Sequence, residues 1–304
     1  MTDNHNVSVQ TTNDKGDAMS TPQQVVACID GSRASPSVCD SAAWASQRLQ
    51  APVTLFHVLD HSRYPKEPDL SGNIGLGSRE HLLTELADLD RRRAKLALEQ
   101  GKRMLEDAAE RLRQQGVTDL HKRQRHGGLA ESLRDIEGTI RLVILGLHGE
   151  TSTDGDLHVG SQLETVIRTL HCPIVIVPDS FKAPRSVMLA FDGSPTVFKG
   201  IELLSSSPIF RGMPVHLVMV GSDTADRWAQ LRAAEKSLVA NGCDVHLAIR
   251  TGKVKEALHG YQKEHDIDLL VMGAYGHSRI RRFLVGSTTT AMLESTRIPL
   301  VILR

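Results

Sequence analysis

Residues 25–32 read VVACIDGS, and residues 187–194 repeat that pattern as VMLAFDGS. A second matched pair comes later in each copy: CPIVIV at 172–177 and IPLVIL at 298–303. The spacing between paired segments falls from 162 residues for the first pair to 126 for the last, so the first copy carries an insertion near residues 61–100. The chain is therefore predicted to be a tandem of one fold.

Within each copy, short continuous runs of Val, Ile and Leu alternate with amphipathic stretches such as 41–49, 225–241 and 254–264. Continuous apolar runs are typical of parallel strands that are buried on both faces of a sheet. Alternating strands and helices predict right-handed βαβ crossovers. The fold class is therefore α/β, with two tandem doubly wound domains.

The predicted domain boundaries follow from the ends of the two copies. We expect a disordered polar tail over residues 1–23, because nothing in it could offset the entropy cost of ordering. The first domain spans 24–178, a linker covers 179–184, and the second domain spans 185–304.

The composition excludes several classes of protein. The 304 residues carry 36 Lys and Arg against 36 Asp and Glu, so the chain lacks the broad positive field that general nucleic-acid binding requires. No apolar run approaches the roughly 20 residues that span a bilayer, and we expect no signal peptide. The four scattered cysteines fit reduced thiols, and we expect a cytoplasmic protein without nucleic-acid or membrane partners.

A glycine loop follows an apolar run in the second copy, with the sequence GAYGHSRIRRFLVGST at 273–288. Gly273 and Gly276 let the backbone turn sharply and approach a ligand closely. Gly286 precedes a helical stretch whose free N–H groups favour an anion, and three cations lie in the loop: Arg279, Arg281 and Arg282. The hydroxyls of Ser287 and Thr288 can cap that helix or contact a phosphate. The alternative is an ordinary strand–loop–helix connection.

Asp192-Gly193-Ser194 follows the first predicted strand of the second copy. A carboxylate at the carboxyl end of a strand can accept a hydrogen bond from an exocyclic amine such as that of adenine. The alternative is a helix N-cap, a role that Asp and Ser also fill well. The same motif at 30–32 favours a shared backbone turn without establishing a shared ligand.

Two copies of strand-DGS and the spaced glycine loop resemble the universal stress protein family, over nearly all of the chain outside the tail. The resemblance implies a five-stranded parallel sheet flanked by helices in each domain, of the adenine-nucleotide alpha-hydrolase-like type. It also implies that the second domain binds ATP, alone or with Mg²⁺. Asp192 and the backbone near Val218 and Val220 would meet the adenine, and the residues expected to hold the ribose and phosphates are Gly273, Gly276, Gly286, Ser287 and Thr288. Gly193, His277 and Arg279 complete the predicted set.

The first copy departs from this pattern. Gly149 and Gly160 are separated by ten residues rather than nine, and the loop carries Glu150, Asp154 and Asp156 without any Lys or Arg. Such charges at ~4 Å from a phosphate would each oppose binding by about 1 kcal/mol in water. We therefore expect the first copy to bind nucleotide poorly, or only through a bridging metal. Acidic and histidine side chains in the loop could ligate a metal, but a mobile acidic loop is the simpler interpretation.

Three functions remain open at this point: a nucleotide-gated stress-response module, a ligand-free interaction scaffold, and a slow ATPase. No catalytic residue is predicted, because His277 alone forms no base–orienter pair. The apolar runs at 174–177 and 300–303 should pair edge to edge within one chain, and a further homodimer is an open possibility. The leucine-bearing stretch 79–115 is either a partner-binding helix or a surface helix packed on its own sheet.

Overall fold

A computed structural model of the chain describes residues 23–59, 76–149, 161–274 and 287–304. The predictions about the N-terminal tail, the acidic loop of the first copy and most of the glycine loop of the second fall outside these ranges. Side chains of residues 76–83 and of Ser161 are likewise not described.

Strands and helices alternate through the first copy as the sequence predicts. The elements are β1 (Gln24–Cys28), α1 (Ser35–Leu49), β2 (Val53–Leu59), α2 (Leu76–Gln114), β3 (Leu120–His126), α3 (Leu129–Arg134), β4 (Ile140–Gly146), α4 (Ser161–Thr169) and β5 (Ile174–Val177). Helix α1 begins six residues before the apolar period that predicts it, because Pro36 supplies a pre-set helical φ in its first turn.

The second copy repeats this order, with a 16-residue helix α6 in place of the 39-residue α2. Its elements are β6 (Val187–Ala190), α5 (Pro195–Ser206), β7 (Val215–Val220), α6 (Ala225–Ala240), β8 (Val245–Arg250), α7 (Val254–Glu264), β9 (Leu269–Gly273), α8 (Ser287–Leu293) and β10 (Leu300–Leu303). The predicted helix 225–241 corresponds to α6, and 254–264 to α7.

The two copies share one ten-stranded sheet with the order β3-β2-β1-β4-β5-β10-β9-β6-β7-β8. Each half has the same internal order and is parallel throughout. The halves meet where β5 and β10 pair antiparallel, with Ile174 opposite Ile302 and Ile176 opposite Leu300. The expected edge-to-edge pairing within one chain is therefore present.

Both faces of this sheet are covered by helices from both halves. One apolar cluster lies under α1, α2, α5 and α6, and the other lies under α3, α4, α7 and α8. The two strands at the junction are buried on both faces, with Val175 and Val301 on one side and Ile176 and Leu300 on the other. Burial of every strand of the junction agrees with the near-continuous apolar runs in the sequence.

Helix α2 behaves differently along its length. Its C-terminal part packs on the sheet through four buried side chains: Leu105, Ala108, Ala109 and Leu112. Its earlier part leaves Leu89 and Leu96 exposed, at 47% and 65% of their full accessible area. The interpretation of 79–115 as a helix packed on its own sheet is therefore confirmed for the C-terminal part, and the described side chains from Thr84 to Gln100 are exposed or half-buried.

A buried histidine lies in the core of the second half. Nδ1 of His216 on β7 is hydrogen-bonded to the Tyr261 hydroxyl at 2.9 Å. The His216 ring also stacks on that of His246, with ring centroids 4.6 Å apart. His265 also faces it, with ring centroids 5.6 Å apart. Burial, then the proximity of His246 and His265, lowers the pKa of His216 from 6.5 to about 4, and Asp244 partly opposes this shift.

We predict that His216→Gln reduces the acid sensitivity of the fold. Because the folded state favours the neutral imidazole, the unfolded chain takes up the proton first as the pH falls below about 6.5, and stability is lost until about pH 4. A shift of this size corresponds to at most ~3 kcal/mol across that window.

The measurement is the free energy of urea unfolding at pH 7 and at pH 5, with exposed His121→Gln as the matched control. The pH dependence should shrink in His216→Gln and persist in the control. An unchanged pH dependence in His216→Gln would show that the buried imidazole does not drive the acid sensitivity.

Candidate functional site

The crossover pattern of the second half marks one place at the edge of the sheet. Strand β6 lies between β9 and β7, and the chain leaves β6 towards β7 but later returns to its other side through β9. In doubly wound sheets, ligands bind outside the carboxyl ends of the strands at such a switch point. Asp192 follows the end of β6 and Gly273 ends β9, and Leu189 is paired with Val271 in register. The two predicted motifs therefore meet at the carboxyl ends of these strands, which form the edge of the sheet that carries Asp192.

The Asp192 turn is held by a hydrogen bond between its side chain and the backbone two residues later. Asp192 Oδ1 accepts a hydrogen bond from the Ser194 N–H at 2.9 Å. Gly193 has φ +73°, a left-handed conformation that favours glycine. A Cβ on Gly193 would lie 3.0 Å from Gln230 Oε1 of α6. The structure thus supports a turn-forming role for Asp192 and holds its half-buried carboxyl group at the strand end.

The end of β7 supplies backbone groups on the other side of β6. The Val218 carbonyl accepts a hydrogen bond from the Phe191 N–H at 2.8 Å, and its side chain is buried. Val220 ends the strand, and the following Gly221 N–H donates to the Arg250 carbonyl at 2.8 Å. Val220 therefore lies at the edge, whereas the Val218 carbonyl is already engaged within the sheet.

Arg227 is a cation near this edge that the sequence analysis did not identify. Its Nη1 donates to the Ser222 carbonyl at 2.6 Å and to the Ser222 hydroxyl at 2.7 Å, and its guanidinium packs directly against Gly221. The only sequence signal for it is its position in the first turn of the helix that follows β7.

The two ends of the glycine loop that the structure describes both lie at this edge. Gly273 ends β9, and Ser287 begins α8 with Thr288 exposed beside it. Buried Thr289 joins the two points, because its hydroxyl donates to the Ala274 carbonyl at 3.1 Å, with the Gly273 carbonyl at 3.2 Å. Thr289 was also missed in the sequence, where it is one of three consecutive threonines. The remaining predicted residues, Gly276, His277, Arg279 and Gly286, lie outside the described residues.

In the first copy, the equivalent carboxylate lies in a turn of the same kind and is half-buried like Asp192. Asp30 Oδ1 accepts from the Ser32 N–H at 3.0 Å and the Ser35 hydroxyl at 3.4 Å. A Cβ on Gly149 would lie 3.4 Å from Asp30 Oδ2, an ordinary van der Waals distance, so Gly149 lies near the carboxylate. His148 Nδ1 lies 3.3 Å from Asp179 Oδ1 and holds this turn beside the end of β5.

The neighbouring helix also differs between the copies. A Cβ on Gly31 would lie 2.5 Å from Met104 Sδ, so Met104 occupies the position that Gln230 holds in the second copy. Gly101 lies three residues before Met104 in the first copy, and Arg227 lies three residues before Gln230 in the second. The first copy therefore has a thioether and a glycine where the second has an amide and a guanidinium.

Other chemistry finds little support in the described residues. No group of three or more His, Cys, Asp or Glu side chains there is arranged to hold a metal ion, and Asp154, Asp156 and His158 lie outside the described ranges. Burial raises the pKa of all four thiols, to about 12 for Cys39 and Cys172, so none is a ready nucleophile. None of the described helices is long and apolar enough to cross a bilayer.

Comparison with known proteins agrees with this architecture. The sequence profile of the universal stress protein family matches residues 22–178 and 200–304. The chain belongs to the universal stress protein family. A universal stress protein of Synechocystis is 35% identical over 286 residues, covering 93% of this chain and all of that protein.

Solved structures support the fold. The crystal structure of a universal stress protein from Archaeoglobus fulgidus has a TM-score of 0.67 at 18% identity, covering 93% of this chain and 98% of that one. A Pseudomonas aeruginosa structure described as a putative universal stress protein has a TM-score of 0.60 at 14% identity, covering 94% and 95%. The universal stress protein fold therefore extends over both halves.

We predict that Gly193→Ala destabilises the second half by roughly 1–3 kcal/mol, because it adds left-handed strain and a close contact with Gln230. Gly212→Ala is the matched control, since Gly212 has φ +78° and nothing within 4 Å of its added Cβ. Chemical denaturation should show a larger loss of unfolding free energy for Gly193→Ala than for Gly212→Ala. Part of this loss should be recovered in the Gly193→Ala/Gln230→Ala double variant. Equal losses in the two single variants would show that the contact with α6 does not matter.

Proposed function

We propose that this universal stress protein binds one ATP at the β6–β9 switch point, and that nucleotide occupancy gates its action in the stress response. The observation that carries the proposal is the meeting of three strand ends at one edge. Asp192 follows β6, Val220 ends β7, and the glycine loop starts at Gly273 at the end of β9.

Each part of this edge matches a part of the nucleotide. The Asp192 carboxylate and the backbone at Val220 are suited to the amine and ring nitrogens of adenine. The glycine loop, with its arginines and the hydroxyls of Ser287 and Thr288, is suited to the ribose and phosphates. Arg227 adds a guanidinium on the β7 side, within reach of the edge through Ser222. Mg²⁺ would neutralise phosphate charge when bound with ATP.

The proposal assigns one nucleotide to each chain. In the first copy, Met104 lies over Gly31, and Gly101 stands where the second copy has Arg227. The sequence adds three carboxylates in the loop that follows, Glu150, Asp154 and Asp156, which oppose a phosphate. A nucleotide in the first copy would have to overcome this repulsion without the amide and guanidinium that Gln230 and Arg227 supply in the second copy.

A gating role fits better than rapid hydrolysis. Asp192 Oδ1 is bonded to the Ser194 N–H, and the described residues at this edge include no histidine positioned by a carboxylate to activate water. His277 is the titratable candidate in the loop sequence, and one histidine is not enough. We place the protein in the cytoplasm, where its free cysteines would stay reduced.

The stoichiometry of binding tests the assignment. Titration calorimetry with ATP and Mg²⁺ should give about one site per chain, and mass spectrometry of the denatured protein should identify adenine nucleotide released from it. A stoichiometry near two would contradict the assignment of one nucleotide to each chain. No nucleotide binding in either measurement would favour the interaction scaffold instead.

The glycine loop is tested by substitution. Gly286→Val should abolish ATP binding with little effect on the fold, because a branched side chain blocks the approach of phosphate to the backbone. Arg281→Ala should weaken binding about fivefold, equivalent to ~1 kcal/mol for an exposed contact.

Gly160→Val, the equivalent change in the first copy, is the matched control and should leave the affinity for ATP unchanged. If Gly286→Val and Arg281→Ala both keep the affinity for ATP of the original chain, this loop does not hold the phosphates.

A further inference from the structure

A cavity of about 200 Å³ lies between the two halves, on the face of the sheet that α1 and α5 cover. The first half contributes Trp44 of α1 and Val175 of β5 to its walls. The second half contributes Leu203 of α5, Phe210 and Val301 of β10. Its walls are largely apolar, no acidic side chain lines them, and interfaces between domains are a common place for small-molecule sites.

The two copies differ at the helix position that borders this cavity. Trp44 and Ser206 are 162 residues apart, which is also the spacing between the two DGS motifs, so they are equivalent positions. The Trp44 ring is held by Phe181, with ring centroids 5.8 Å apart. Ser206 is exposed and carries only a hydroxymethyl group. The first half therefore supplies a fixed aromatic wall, and the second half leaves space and an entrance opposite it.

A β-bulge directs Arg141 into this apolar space. Strand β1 pairs Gln24 with Ile140 but Val25 with Leu142, so Arg141 is an extra residue in β4. Bulges change the direction in which a strand side chain points, and the neighbours Arg141 and Leu142 both line the cavity. Arg141 Nη1 donates to the Leu49 carbonyl at the end of α1, at 3.4 Å.

The charge of Arg141 has no counter-ion among the described residues. Its bond to the Leu49 carbonyl is its one polar contact with them, and the side chain is half-buried. The equivalent residue of the second copy is Asp268, whose Oδ2 lies 3.5 Å from Arg185 Nε and accepts the Arg185 N–H at 3.0 Å. A guanidinium that is partly removed from water without a carboxylate partner favours the binding of an anion.

We propose that this cavity binds a small carboxylate whose apolar body is about the size of one aromatic ring. The carboxylate group would meet Arg141, and the apolar body would lie between Trp44 and Leu203. Because an engineered apolar cavity of ~150 Å³ holds benzene, this cavity has room for a ring and a short chain.

This site is separate from the one that we propose for nucleotide. Leu203 and Ser206 lie in the last turn of α5, whereas Asp192 precedes the first. Helix α5 has 12 residues, and its length of roughly 18 Å separates the two places. The carboxylate site therefore does not depend on nucleotide binding.

Titration calorimetry of the full chain with phenylacetate tests the site. Phenylacetate should bind at one site per chain with a Kd below ~1 mM, and neutral phenylacetamide should bind at least fivefold more weakly. In a Trp228→Phe chain, which leaves Trp44 as the one remaining tryptophan, phenylacetate should also change the fluorescence. Absence of saturable phenylacetate binding would overturn the proposal.

Filling the entrance tests the location. Ser206→Phe places a ring opposite Trp44 and should remove phenylacetate binding. Ser237→Phe is the matched control, because Ser237 is exposed on α6 and does not line the cavity. Undiminished binding to Ser206→Phe would overturn the assignment to this cavity.

Removing the cation tests the chemistry. Arg141→Gln should lower the affinity for phenylacetate at least fivefold and leave that for phenylacetamide unchanged, a selective loss that a merely structural role would not produce. Arg48→Gln is the matched control, because Arg48 Nη1 donates to the Arg211 carbonyl at 3.1 Å without lining the cavity. If Arg141→Gln still prefers the acid to the amide by the original factor, Arg141 does not hold the carboxylate.

Discussion

The antiparallel pairing of β5 with β10 organises the rest of the molecule. Each strand would otherwise expose a row of unpaired backbone groups and apolar side chains at a sheet edge, a surface that invites aggregation. Pairing Ile174 with Ile302 and Ile176 with Leu300 closes both edges at once. It also reverses the strand direction between halves. The carboxyl ends of β1 and β4 therefore point one way, and those of β6 and β9 point the other. The two switch points are separated, and they cannot form one shared site.

This separation lets two copies of one fold take different roles. The DGS turn is the same in both, with a left-handed glycine and an Asp oxygen that accepts the N–H two residues on. The surroundings differ at two helix positions: Met104 replaces Gln230, and Gly101 replaces Arg227. The first copy thus lacks an amide and a guanidinium at these two positions, and it extends a long helix past its edge. The second keeps polar and cationic groups at the edge that we propose for nucleotide.

The sequence predicts most of the fold, because buried parallel strands and repeated motifs leave a strong local pattern. The alternation of strands and helices, the paired ends of the two copies and helices α6 and α7 all follow from that pattern. The exposure of Leu89 and Leu96 does not, because an apolar stripe has the same spacing whether or not a sheet lies beneath it. Arg227 and Thr289 were missed because their role depends on contacts with distant backbone, which sequence spacing does not encode. The difference between Val218 and Val220 likewise depends on where the ladder ends.

Amide hydrogen–deuterium exchange with and without ATP and Mg²⁺ tests the central claim most directly. The account predicts new protection at one edge of the sheet only, in peptides that contain residues 192–194, 219–224 and 273–289. Peptides that contain residues 30–32 and 146–161 should exchange at unchanged rates. Equal protection at both sets of peptides would contradict the assignment of a single nucleotide site to the second half.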